Sequence, residues 1–248
     1  RLAAFLFNRR SEGGSIDFDI PEPIFEMGDK GIPHEIRPSE RMESHRIVEE
    51  CMLLANRVVA AEIPKKVPKK FPFVYRVHAK PDKLKVDRFG SLLKLLRLGI
   101  QVSEGDLSPN DFKNVLKHVE DSPYRHLIEN VTLRTMSKAV YSMKNQGHFG
   151  LAFQHYTHFT SPIRRYPDLM VHRVIKMVCD QSFEPKEEWR DIMEKVVKLS
   201  NAGEIQALTA EREYIKMKQL RWLGERIGES FDGIISGVVN FGLFVELK

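Results

Sequence analysis

The run HFGLAFQHYTHFTSPIRRYPDLMVHR, residues 148–173, gathers the side chains best equipped for chemistry in this 248-residue sequence. Ser161 followed by Pro162 predicts a helix over 162–180, because the hydroxyl caps a first-turn N–H and proline lacks the N–H that would go unpaired there. The remaining first-turn N–H groups and the positive end of the helix dipole attract anions. Arg164 and Arg165 add guanidinium forks that match phosphate oxygens. Thr160 and Ser161 supply hydroxyl donors beside them. Asp168 stands four residues after Arg164 and four before His172, a spacing that lets it hold the guanidinium and orient the imidazole. The same pattern also describes an ordinary Ser-Pro helix start with a surface Arg–Asp pair, and spacing alone does not choose. His148, His155, His158 and His172 invite a metal reading, but His155 and His158 precede the helix without an acidic or thiolate partner at usual spacing, so no metal ligand is assigned.

The elements that must position this run are mostly helical. Periodicity predicts helices at 44–63, with Ser44 as cap and Ile47, Cys51, Leu54, Ala55 and Val58 as the buried stripe, then at 82–98, 108–119 and 123–141. A long helix is predicted over 187–222, with Ile192, Val196, Leu199, Ala202, Ile205 and Leu208 inward. Residues 15–27 read as extended, since Ile16, Phe18 and Ile20 alternate with Asp17 and Asp19 and two prolines bar a helix. A turn at 28–31 follows. Phe73, Tyr75 and Val77 alternate as a short strand. After Gly228 the pattern changes to β-branched and aromatic residues interleaved with glycine, which places a domain boundary there. Both ends of the sequence read as interrupted elements.

The 42% hydrophobic and 29% charged content supports a folded core and excludes disorder and collagen-like repeats. Net charge is +5, but residues 64–98 hold 11 Lys or Arg against Asp82 and Asp87, a local +9 that leaves −4 elsewhere. This basic stretch suits an electrostatic funnel for RNA and equally a solvated lysine-rich surface. Cys51 and Cys179, 128 positions apart in apolar periodic segments, argue against a disulfide framework and for a reducing cytoplasm, and neither reads as a reactive thiol. No run reaches the ~20 apolar residues of a membrane span, and Leu92, Leu93, Leu95, Leu96 and Leu98 are expected to face a core.

The string H-F-G-L, four residues, then Y-T-H-F-T-S-P-I-R-R-Y-P-D-L-M-V-H resembles the signature of the RNB family of exoribonucleases position by position from His148 to His172. R-R-S-E-G-G-S-I-D-F at 9–18 and S-H-R-I-V-E-E-C-M-L-L-A-N at 44–56 extend the likeness. G-V-V-N-F-G-L-F-V at 237–245 is similar to the opening of an OB-type RNA-binding barrel. The likeness is greater to the RNase R type than to the RNase II type. It implies an α+β fold: the mostly helical second half of an RNB nuclease domain over 1–228, then the start of a barrel over 229–248. It further implies hydrolytic 3′-to-5′ degradation of single-stranded RNA to nucleoside monophosphates, with Mg²⁺ held by clustered aspartates. Carried onto this sequence, Arg164 contacts the scissile phosphate, Phe18 stacks on a base near the 3′ end, Glu50 meets the terminal sugar, and Glu211 lies near the active site. Glu49 is the alternative to Glu50. Thr160, Ser161, Arg165 and Tyr166 complete the RNA-contacting set.

In the family the aspartate cluster and a base-clamping tyrosine precede the region with which this sequence begins. Asp17 and Asp19 are expected to face solvent. The Mg²⁺ ligands are therefore expected upstream of Arg1, and these 248 residues alone are expected to be inactive. The expected partner is single-stranded RNA, for a monomer without a small-molecule cofactor or membrane attachment. The competing reading is a non-catalytic RNA-binding protein that keeps the nuclease scaffold.

Overall fold

A computed structural model describes residues 1–17, 22–28, 31–100, 107–182 and 188–247. In chain order the elements are α1 (Leu2–Glu12), β1 (Pro23–Met27), β2 (Pro33–Pro38), α2 (Glu43–Glu62), β3 (Tyr75–Val77), α3 (Lys83–Leu95), α4 (Pro109–His118) and α5 (Arg125–Thr135). β4 (Val140–Ser142), α6 (Tyr166–Cys179), α7 (Glu188–Gly224), β5 (Gly233–Val239) and β6 (Gly242–Leu247) follow. The strands form three antiparallel pairs, β1–β2, β3–β4 and β5–β6, so the fold is α+β with helices dominant. Two compact units divide the chain: Arg1–Asp19 with Arg41–Gln206, and Ile20–Glu40 with Ala207–Lys248.

Local chemistry explains the helix starts in the first unit. The Asp82 carboxylate accepts the Leu84 N–H at 2.9 Å and opens α3. Before α4, Ser108 and Asp111 satisfy each other reciprocally: the Asp111 carboxylate accepts the Ser108 N–H at 2.7 Å, and the Ser108 hydroxyl accepts the Asp111 N–H at 3.3 Å. α3, α4 and α5 then bury Phe89, Leu93, Phe112, Val115 and Ile128 together, and Leu92, Leu96 and Leu98 pack against this cluster while Leu95 faces solvent. A second cluster joins Phe73 and Val74, Tyr141 on β4, Met170, Val171 and Val174 on α6, and Met193 and Val196 on α7. In the second unit, the end of α7 and the turn that follows it grip the β1–β2 hairpin. Lys218 donates to the Gly31 carbonyl at 2.9 Å, and the Trp222 indole and the Arg226 guanidinium both donate to the His34 carbonyl at 3.3 Å.

Several expectations need correction. The predicted stripe of α2 faces outward: Ile47, Cys51, Leu54 and Val58 are exposed, whereas Glu50, Leu53, Asn56 and Ala60 are buried. Burial there is chosen by polar partners, which a hydropathy period does not register. Ser44 lies inside the first turn, with Met42 at the cap position. The helix predicted to 141 ends at Thr135, because Met136 turns to extended backbone and Tyr141 joins β4. On α7, Val196 of the predicted stripe is buried, but Ile192, Leu199, Ala202, Ile205 and Leu208 are exposed. Cys51 and Cys179 are both free and exposed. Phe18, Asp19 and Ile20 of the predicted strand lie outside the described residues, and β1 itself begins at Pro23.

Candidate nucleic-acid interface

The segment from His148 to Arg165 is fastened from four directions within the first unit. The HFG triplet packs against His78: the Phe149 N–H donates to the His78 carbonyl at 2.9 Å and the Gly150 N–H to its Nδ1 at 3.1 Å. A Cβ on Gly150 would stand 3.0 Å from that nitrogen, which accounts for glycine at this position. β3 takes the next residues: the Arg76 N–H donates to the Tyr156 carbonyl at 2.9 Å, and the Thr157 hydroxyl donates to the Val74 carbonyl at 2.7 Å. From α2, the fully buried Asn56 donates to the Tyr156 hydroxyl at 3.2 Å and accepts the Phe159 N–H at 3.0 Å. From α6, His172 donates through Nε2 to the Phe159 carbonyl at 2.9 Å and stacks on its ring, with centroids 4.4 Å apart.

Burial sets the protonation of the aromatic groups behind this segment. His158 is pushed down to about 2 and His148 to about 3, first by desolvation and then by neighbouring positive groups, Arg165 and Arg76 for His158 and His78 and Arg76 for His148. Burial raises Tyr141 to about 12. The phenol therefore keeps its proton, and its hydroxyl lies 2.9 Å from Nδ1 of neutral His158, within hydrogen-bond distance. Arg76, whose guanidinium lies 4.7 Å from the centre of the Tyr141 ring, meets Glu204 in a two-pronged pair of 2.6 and 2.7 Å.

The segment ends in a tight turn. The Ser161 carbonyl accepts the Arg164 and Arg165 N–H groups at 3.3 and 3.0 Å, and α6 starts at Tyr166 with Pro167 in its first turn. Ser161 is thus not the helix cap that the sequence predicted, and Pro162 lies in the turn. The carboxylate of Asp168, wholly buried, accepts the Ser161 N–H at 2.9 Å and is gripped by Arg165 through Nε and Nη2 at 3.0 and 2.7 Å. The sequence paired Asp168 with Arg164 and His172; the earlier chain turn places Arg165 at it instead, and His172 serves Phe159. An acidic side chain already stands in the first turn of α6, so the helix end is not a vacant anion cradle. The Arg164 guanidinium makes no hydrogen bond or ion pair with any described residue and is exposed beside the fully exposed Ile163. Thr160 is half-buried, its enclosed hydroxyl without a partner among the described residues, Ser161 is half-buried, and Tyr166 is half exposed at the head of α6.

The other candidates fall elsewhere. Glu50 is buried against Arg10, 2.6 Å from Nη2 and 3.1 Å from Nε, while Glu49 is part-exposed and paired with Arg41 at 2.6 Å. Asp17 is exposed, as expected, and paired with Arg41 at 3.0 Å. Glu211 is exposed on α7 in the second unit, and Phe18 lies outside the described residues. Of the 11 basic residues at 64–98, all but the half-buried Arg76 are exposed. Among the described residues, Glu26, His34 and Glu35 form the one group of metal-ligating side chains, on the β1–β2 hairpin. It does not fit Mg²⁺, which takes an octahedron of hard oxygens, because one donor is an imidazole and Glu26 is engaged by Arg37 at 2.9 Å.

The sequence model of the RNB domain matches residues 1–181. The chain belongs to the RNB family. Ribonuclease R of Aquifex aeolicus is 42% identical over 249 residues, covering 100% of this chain and 34% of that protein. The RNB chain is also similar to the structure of Mycoplasma genitalium RNase R in complex with ribose-methylated single-stranded RNA, at a TM-score of 0.91 and 29% identity over 99% of this chain and 38% of that one. Yeast Ssd1, described as a pseudonuclease, shares the fold alone, at a TM-score of 0.56 and 23% identity over 65% of this chain and 20% of that one. The chain spans about a third of the length of the ribonuclease R relatives named here. Asn56, Arg76, Tyr141 and Asn201, which hold the site together, were missed in the sequence. Only Asn56 carried a signal, as the last residue of the 44–56 motif.

Proposed function

We propose that this RNB chain is part of a hydrolytic 3′-to-5′ exoribonuclease of the RNase R type that degrades single-stranded RNA to nucleoside monophosphates. The observation that carries the reading is Arg164: an exposed guanidinium with no partner among the described residues, on a turn whose backbone is held by the Ser161 carbonyl and the Asp168 carboxylate. A free guanidinium on a rigid mount matches two phosphate oxygens and tightens as charge develops on them, so its role is to hold and polarise the scissile phosphate. Thr160, Ser161 and Tyr166 flank it as polar contacts to the RNA backbone, with Arg165 as the support of the turn. The exposed basic residues at 64–98 draw the polyanion in. Phe18 as a stacking residue, Glu50 or Glu49 at the terminal sugar, and Glu211 near the reaction centre rest on the family resemblance. So does the division into a nuclease part at 1–228 and the start of a barrel at 229–248.

Mg²⁺ is the proposed cofactor, supplying an activated water when bound. Its carboxylate ligands are proposed to lie outside these 248 residues, and no step through it is assigned to this chain. The protein is proposed to act as a cytoplasmic monomer. Among the described residues no helix is long and apolar enough to cross a membrane.

The competing reading, a non-catalytic RNA-binding protein, draws on the fold it shares with Ssd1, since a fold by itself does not carry an activity. The 248-residue chain, incubated with 5′-labelled single-stranded RNA, is expected to bind it in a salt-sensitive way and to release no nucleotides when Mg²⁺ is added. A longer chain of the same protein is expected to shorten the RNA from its 3′ end. A longer chain that binds without shortening the RNA would establish the competing reading. A Mg²⁺-dependent ladder from the short chain would show that carboxylates within it hold the ion.

A further inference from the structure

We propose that Asp168 is a positioning residue, acting through Arg165 and Ser161 to fix the turn that presents Arg164 to an RNA phosphate; this rests on the phosphate-binding reading of Arg164 given above. Arg164 has no side-chain partner among the described residues, so where its guanidinium stands is decided by its backbone. That backbone is held through Ser161, whose carbonyl takes the N–H groups of Arg164 and Arg165. Ser161 is held in turn by Asp168, which receives its N–H at 2.9 Å and at the same time clamps Arg165 through two nitrogens. Asp168 itself cannot drift. It is 0% exposed and sits on the helix that places Met170, Val171 and Val174 in the core. One turn further along α6, His172 ties down the Phe159 carbonyl, so 159–161 is tethered at both ends from a single rigid face. The two adjacent arginines thus divide the work: Arg165 is consumed by the mount, and Arg164 is what the mount displays.

A negative charge near a phosphate site has a simpler effect, which is to weaken anion binding, and the two accounts predict opposite signs. The experiment measures binding of fluorescein-labelled oligo(A) of about ten nucleotides to the 248-residue chain by anisotropy, across a series of KCl concentrations. Arg164→Ala, Asp168→Asn, Arg165→Lys and the double variant Asp168→Asn with Arg164→Ala are compared with the unmodified chain.

Asp168→Asn adds one unit of positive charge, yet is expected to weaken binding by about tenfold, the scale of a lost charge-assisted hydrogen bond. Its slope of log affinity on log salt is expected to fall by about 0.7, as for Arg164→Ala, since one phosphate contact is lost from a single strand. Arg165→Lys leaves the charge unchanged and is expected to weaken binding in the same direction, because the fork that spans Asp168 is gone. The double variant is expected to bind no more weakly than Arg164→Ala alone, since both changes remove one contact.

Binding by Asp168→Asn that equals or exceeds that of the unmodified chain, with Arg164→Ala weakened, overturns the positioning role and leaves the phosphate reading intact. Losses that multiply in the double variant also overturn it, as they indicate general loosening. Arg164→Ala that binds normally defeats the phosphate reading itself, and this inference with it. If circular dichroism shows Asp168→Asn to be unfolded, Arg165→Lys decides: unchanged binding overturns the proposal, weakened binding with an unchanged melting temperature supports it.

Discussion

The guanidinium of Arg10 and the carboxylate of Glu50 form an enclosed ion pair, 2.6 Å at its shortest, with side chains 6% and 4% exposed. The remaining Arg10 nitrogen, Nη1, donates to the Ser15 hydroxyl at 2.7 Å. The pair joins α1 to α2 and places a charge where the periodicity of α2 alone predicts a flank open to solvent. Glu50→Ala is expected to lower unfolding stability by about 3–5 kcal/mol, because it strands a buried guanidinium. Urea denaturation measures this. A Glu50 free to meet a sugar would give a variant as stable as the original, with the loss confined to RNA affinity.

Arg164→Lys tests the fork rather than the charge. In a longer chain that hydrolyses RNA, turnover is expected to fall by about tenfold or more while RNA affinity changes by less than about threefold, because a point charge replaces a planar two-pronged contact. Lys198→Ala, an exposed position on α7, serves as the control. Equal kinetics for the two variants would remove Arg164 from the reacting phosphate.

Asn56→Ala removes a side chain that both donates to Tyr156 and accepts from the Phe159 backbone. The Phe159 N–H is left without its acceptor, a loss of about 1–3 kcal/mol. A lower melting temperature together with weaker oligonucleotide binding is the expected result, since the same contact steadies the approach to the Arg164 turn. Asn56→Asp, which keeps the acceptor for Phe159, is expected to recover part of the binding.

Acid should unfold the chain through its enclosed histidines. Unfolded, each imidazole binds a proton below about pH 6.5. Folded, His148 and His158 resist protonation down to about 3 and about 2, chiefly because they are buried. Over that interval the unfolded state holds more protons, so stability is full above about pH 6.5 and falls as pH drops, by about 1.4 kcal/mol per pH unit for each histidine. Melting curves between pH 7 and pH 5 are expected to slope steeply, and His158→Asn is expected to flatten them. An unchanged slope in that variant would show that His158 is accessible to protons in the folded chain.

Some of this was legible in the sequence and some was not. α3 and α4 followed from Asp82 and Ser108, whose caps are local, and the run from His148 to His172 announced the site because its residue types are dense and its likeness to the RNB signature is long. What sequence reasoning misplaced depends on contacts made across the chain. The outward stripe of α2 is decided by Arg10, 40 positions away, and by Tyr156 and Phe159, 100 or more positions away. The exchange of Arg164 for Arg165 at Asp168 turns on whether the helix begins at Pro162 or at Tyr166, a difference that a proline within reach of both starts leaves open.

The Asn201 side chain receives the Tyr141 N–H at 2.8 Å and donates to the Tyr141 carbonyl at 3.0 Å, both from α7. Its amide therefore stands in for the missing neighbour of a strand only three residues long. On the far side of the pair, the Tyr156 carbonyl does the same for Arg76. A two-stranded ribbon ordinarily offers two raw edges on which another chain can zip by backbone pairing. At Arg76 and Tyr141 this one is closed on both sides by its own protein, without the lysines, prolines or bulges that usually discourage such growth. Asn201→Leu would reopen one side, and the symptom to watch for is self-association at high concentration, as seen by light scattering.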